Sequence, residues 1–149
     1  MTILRNLANR LTRRRFRRRV SKSLALTPRG GIPKDVLILS KLSTSMRLEW
    51  QARDIHAWDR DLPAGRRAEM FVEQSLSDTN ASILRFFQTL PEIDVIEIRV
   101  LDPNSGVAII AGTVTRDEAL TTSSPSPGMK LKKLGVDYRL RNWHFEPLA

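Results

Sequence analysis

Residues 61–115 read DLPAGRRAEMFVEQSLSDTNASILRFFQTLPEIDVIEIRVLDPNSGVAIIAGTVT, and a change of period inside that stretch decides the fold. In its first half Ala68, Val72, Leu76, Thr79, Ile83, Phe87 and Leu90 recur at spacings of three and four. That repeat places side chains on one face of an α-helix. Met70, Phe71, Leu84 and Phe86 widen the stripe. Asp61-Leu62-Pro63 offers a cap and an early proline, and Pro91 stops the pattern. The spacing therefore predicts a helix over 64–90, roughly 40 Å long at 1.5 Å per residue. Ser77-Asp78-Thr79-Asn80 prefer caps to helix interiors, so a break into two helices is allowed there.

In the second half the period falls to two. Ile96, Ile98 and Val100 share one face, with Glu97 and Arg99 on the other. Residues 93–101 and 107–115 are rich in β-branched side chains, and Asp102-Pro103-Asn104-Ser105-Gly106 between them are turn formers. An antiparallel hairpin follows, its apolar face packed on the helix.

Working outward, residues 36–42 and 47–55 are expected as two strands about a Ser43-Thr44-Ser45 turn, although residues 41–57 can also be threaded as helix. Arg116 to Thr122 suits a helical turn and Ser123 to Gly128 a loop. Met129 to Leu134 reads as a short helix closed by Gly135, leading into a last strand over 136–145. The fold class is α+β: a small, mainly antiparallel sheet packed on one long helix. At 149 residues the chain is sized for one domain. Thr27-Pro28-Arg29-Gly30-Gly31-Ile32-Pro33 reads as a hinge, dividing a basic N-terminal arm, 1–34, disordered or helical, from a single domain, 35–149.

The composition, 41% hydrophobic and 28% charged, is ordinary for a globular protein. With no cysteine, disulfides, thiolate nucleophiles and cysteine-ligated zinc or iron–sulfur centres are excluded. No run approaches the ~20 apolar residues of a membrane span, and Val36-Leu37-Ile38-Leu39 is strand-sized. No apolar segment of secretory type follows the arginines, so a cytoplasmic location is expected. The acid-free, arginine-rich start also has the character of a mitochondrial transit segment, should the source be eukaryotic.

The net charge of +9 belongs to the arm. Residues 1–34 hold 11 Lys/Arg and no carboxylate, whereas the rest holds 14 basic against 16 acidic side chains, a formal −2. Arg13, Arg14, Arg15, Arg17, Arg18 and Arg19 surround Phe16. Six such charges in seven residues repel one another until a polyanion neutralises them. Nucleic acid is the favoured partner. Ile3, Leu4, Leu7 and Leu11 form a short apolar stripe that Arg18 interrupts, so an anionic membrane surface is the alternative. An arginine run there contributes about 1 kcal/mol per residue.

Lys130, Lys132 and Lys133, with Arg139, Arg141 and nearby Trp143, form a second basic patch that the arm can extend. Asp54-Ile55-His56-Ala57-Trp58-Asp59-Arg60-Asp61 gathers one imidazole and three carboxylates, the residue types of a metal-dependent hydrolase. Its spacing matches no metal-site pattern, and the plainer expectation is a polar loop with Trp58 folded onto the core. Trp143-His144-Phe145-Glu146 reads first as strand packing, with His144 joining His56 only if pairing brings them together. Dinucleotide, phosphate-loop, nucleophile-elbow and zinc-protease signatures are absent, as is any aromatic stripe on the two hairpin strands. No cofactor, metal ligand or catalytic residue is assigned. The expected protein is a non-enzymatic binding or adaptor protein, its body meeting a protein partner or a second copy of itself.

Overall fold

In the computed structural model, which describes residues 36–148, the chain enters as two antiparallel strands. These are β1 (Leu37–Leu42) and β2 (Ser45–Gln51), and Leu42 pairs with Ser45, leaving Ser43-Thr44 as the whole turn. Ser45 thus belongs to the strand. Ser43 adopts a φ of 50°, in the left-handed region that favours glycine. The arm and its boundary at residue 34 lie outside the described residues.

β2 stops at Gln51, four residues short of the expected end. Its parallel neighbour β3 (Val95–Leu101) ends opposite it, Gln51 against Leu101, and a single further bond runs from Ala52 N to the Leu101 carbonyl at 2.8 Å. The next carbonyls, of Arg53 and Asp54, instead accept the Gln74 side-chain amide at 2.9 and 3.2 Å. Backbone acceptors need partners, and a helix side chain supplies them where strand pairing ends.

A single 3-10 turn, Ala57–Asp61, precedes helix α1 (Ala64–Thr89). Asp61 does not cap this helix, contrary to expectation. Pro63 occupies the cap position with no side-chain hydrogen bond. The helix also runs unbroken through 77–80. Thr79 is buried and its hydroxyl donates to the Ser75 carbonyl at 2.7 Å, while Asp78 is held by Arg53. Packing outweighs the weak propensity of these residues, which costs only about 0.5 kcal/mol each.

β3 and β4 (Ala108–Thr115) form the expected hairpin. Asp102 Oδ1 accepts the amides of Asn104 and Ser105 at 2.8 and 2.9 Å, and Gly106 takes a φ of 72°. With a short strand β5 (Val136–Asp137) beside β4, the sheet order is β1-β2-β3-β4-β5, antiparallel except at β2–β3, where α1 makes the long crossover that a parallel pair needs. Met46, Leu48 and Trp50 of β2, Ile96, Ile98 and Val100 of β3, and Ile110 and Val114 of β4 are buried. They form one core with Val72, Leu76, Ile83, Phe86 and Phe87 of α1.

Thr115 caps α2 (Arg116–Thr121) through its hydroxyl, and the Arg116 side chain turns back to the end of α1. Its guanidinium donates to the carbonyls of Phe87 and Leu90, each at 2.6 Å, and to that of Ile93. It also lies over the Phe87 ring, 5.2 Å from the centroid. Helix α3 (Pro127–Lys133) begins two residues earlier than expected, since the Ser126 hydroxyl accepts Met129 N at 3.3 Å and Pro127 takes the first turn. Gly135, at φ 83°, ends it as expected.

The expected strand over 136–145 is three short pieces: β5 (Val136–Asp137) on the edge of β4, then β6 (Leu140–Arg141) and β7 (His144–Phe145) as a separate hairpin. β5 approaches β4 at Gly112. A Cβ there would stand 2.7 Å from Val136 Cα and 2.8 Å from the Gly135 carbonyl oxygen.

Candidate functional site

Of the nucleic-acid-binding set, Arg13, Arg14, Arg15, Arg17, Arg18 and Arg19 lie outside the described residues. Lys130, Lys132 and Lys133 all fall on α3, in the turn nearest its C-terminus, where cations complement the helix dipole. Two of them have local partners. Lys132 Nζ lies 3.2 Å from Asp137 Oδ1, donates to the Tyr138 carbonyl and sits 4.2 Å from the Tyr138 ring centroid. Lys133 Nζ donates to the Ser123 carbonyl at 3.2 Å. Lys130 is half-buried. Lys132 thus ties the C-terminal segment to α3, and Lys133 ties the preceding loop to it.

That segment carries the second group of cations. Arg139 reaches Asp137 at 3.9 Å, and Arg141 is exposed on β6. Leu140 pairs with Phe145 and Arg141 with His144. Phe145 anchors the hairpin through edge contacts with Phe71 and Tyr138, centroids 5.9 and 6.4 Å apart. Tyr138 packs so closely on α3 that a Cβ at Gly128 would meet its hydroxyl at 2.7 Å, and burial pushes its phenol up from the ordinary value. Alternation along β6 then turns Arg141 away from the face of Leu140. At the tip stands Trp143, 52% exposed. The sequence places Trp143 beside a basic patch but reads its own window as terminal strand packing, because a hairpin with two-residue turn Asn142-Trp143 lacks the glycine that usually announces one.

His56 and His144 do not meet in a ligand set: no group of three or more His, Cys, Asp or Glu side chains converges among the described residues. His56 Nδ1 accepts the amide of Trp58 at 3.2 Å, opening the 3-10 turn. Asp54 accepts the amide of Ile55 at 2.8 Å. Trp58 is 85% exposed, with its ring edge-on to His56 at 5.8 Å, and does not fold onto the core. The place for an indole under this part of the sheet is already filled by Trp50, packed on Phe86 at 6.1 Å.

A small cleft of about 10 Å³, room for little more than one water, opens where the end of β2 meets the middle of α1, far below the ~300 Å³ of ordinary ligand pockets. Arg53 forks onto Asp78 there, at 3.1 and 3.3 Å. Burial raises the Asp78 carboxyl above the ordinary carboxylate value, and the Arg53 bond opposes that shift without cancelling it. Ser75 Oγ is buried without a hydrogen-bond partner beside it.

The face of the sheet opposite α1 carries a checkerboard. In the parallel register Arg47 faces Glu97 and Glu49 faces Arg99, with ion pairs at 3.0 and 3.7 Å. This surface is self-neutralising and offers a phosphate backbone no net attraction. Among the described residues no helix is long and apolar enough to cross a membrane. Comparison of the chain with protein-family models, curated proteins and solved structures finds no match.

Proposed function

We propose that this chain is a non-enzymatic binding or adaptor protein, held to a polyanion by its arginine-rich arm, with nucleic acid the favoured partner. One observation carries the reading. All of the positive excess lies in residues 1–34, whereas the remainder is formally −2. A basic fold would spread its charge over a binding face. Here the body instead commits arginines to its own carboxylates, as Arg47 and Arg99 do across β2 and β3.

Six phosphate contacts from Arg13 to Arg19 would release enough counterions to lower affinity roughly a thousandfold between 50 and 200 mM salt. Such contacts hold without reading sequence. Deleting residues 1–34 should therefore abolish salt-sensitive retention of DNA and RNA while the body keeps its melting midpoint. Equal binding by the truncated and full chains would refute the role given to the arm. Retention on anionic vesicles but not on nucleic acid would favour the second reading, in which Ile3, Leu4, Leu7 and Leu11 insert beside the arginines. The hydrolase reading of His56 finds no converging donors among the described residues and is not carried forward.

A further inference from the structure

Asn142 and Trp143 alone connect β6 to β7, and both have positive φ, 51° and 62°. Two such residues in succession are the signature of a type I′ turn, whose second central position is ordinarily glycine. Any larger residue there brings its Cβ against the neighbouring carbonyl, and a bulky one is a true outlier. Buried contacts could offset that strain, yet the Trp143 ring is half-exposed and makes no ring contact among the described residues. The strands behind it are firmly seated through Phe145. An indole is thus held out to solvent, on a rigid support, at a position where glycine would be more stable.

Its surroundings indicate what it meets. Arg141 has no ion-pair partner among the described residues, and Arg139 is only loosely tied to Asp137 at 3.9 Å. We propose that the β6–β7 tip is a contact for single-stranded nucleic acid, Trp143 stacking on an unpaired base while Arg141 and Arg139 meet adjacent phosphates. This deepens the nucleic-acid reading above and rests on it. An indole presents a flat π-face and one N–H donor, so it recognises a base by its face, which a duplex hides within its stack. Trp58, the other exposed indole, is followed by Asp59, Arg60 and Asp61, a segment of net negative charge that repels phosphate. Stacking at the tip adds to the arm a preference that arginines alone do not have.

The test uses the full-length chain with two labelled probes, an oligo-dT single strand and a duplex of equal length, at low salt. Trp143→Gly restores the favoured turn residue, so it should raise the melting temperature and weaken single-strand binding about tenfold, leaving the duplex unaffected. Trp143→Phe keeps an aromatic face and should retain most of the single-strand affinity. If Trp143→Gly binds the single strand as tightly as wild type, or melts at a lower temperature, the tip is not a stacking contact. If the wild-type chain binds neither probe, the nucleic-acid reading itself fails, and this inference with it.

Discussion

Three carbonyls at and just beyond the end of α1 accept from one guanidinium. A helix leaves its last acceptors unsatisfied; the Leu90 carbonyl also accepts Ile93 N at 3.1 Å, and Arg116 donates to it and to those of Phe87 and Ile93. Arg116 serves them from the start of α2, clamping the crossover helix to the hairpin that follows it. Replacing Arg116 with alanine should cost about 3 kcal/mol, since hydrogen bonds to a charged donor are lost and their acceptors stay half-buried. Urea unfolding would measure it. Arg116→Lys should recover only a fraction of the loss, because an ammonium cannot reproduce the planar fork. Asp78 makes a different kind of prediction. Its carboxyl is raised in the folded state, so its contribution to stability is fully present below the ordinary carboxylate range and is lost as pH rises through the elevated value. Asp78→Asn, which cannot ionise, should therefore gain on wild type between acid and neutral pH, as read from paired melting curves.

Secondary elements were legible in proportion to their length. α1 and the β3–β4 hairpin follow from periods of 3.6 and 2, and Val72, Leu76, Thr79, Ile83 and Phe87 are buried where the stripe places them. The C-terminal pieces were not, because their boundaries are set by contacts distant in sequence. β5 exists because Gly112 lets its backbone come close, and β6–β7 because Phe145 finds Phe71 on α1. Neither cause is visible in residues 136–145 read alone. Gly112→Ala should displace β5 from β4, since the added methyl would meet backbone atoms that have no rotamer to change. An overpacking penalty of about 1–3 kcal/mol is expected in thermal or urea unfolding. The candidate site divides in the same way. The arginine run and the basic patch around the α3 lysines and Trp143 stand out by composition, whereas the turn that exposes Trp143 shows only in its φ.

At the scale of the whole molecule, charge and architecture are separated. The sheet buries one face against α1 and neutralises the other by Arg47–Glu97 and Arg99–Glu49 pairing, so the body has little long-range field of its own. Two local hairpins, β1–β2 and β3–β4, are joined by one parallel contact that a 26-residue helix must bridge. Non-local closure of that kind is the slow step of folding. The core of the described residues is built from residues 46 to 136, so removing residues 1–34 should leave the melting midpoint in place.

In sequence the basic leader precedes β1, an edge strand hydrogen-bonded to β2 alone among the described residues. Any tension between an immobilised leader and the body therefore enters at the Leu37–Glu49 end of that ladder. Antiparallel ladder bonds lie across the strand, so a pull directed across β1 opens them in succession, as a zip does, whereas a pull along it shears them together. Under a crosswise pull β1 would peel from β2 while β2, β3 and β4 stayed sealed beneath α1, a mechanical fuse that yields before the core does.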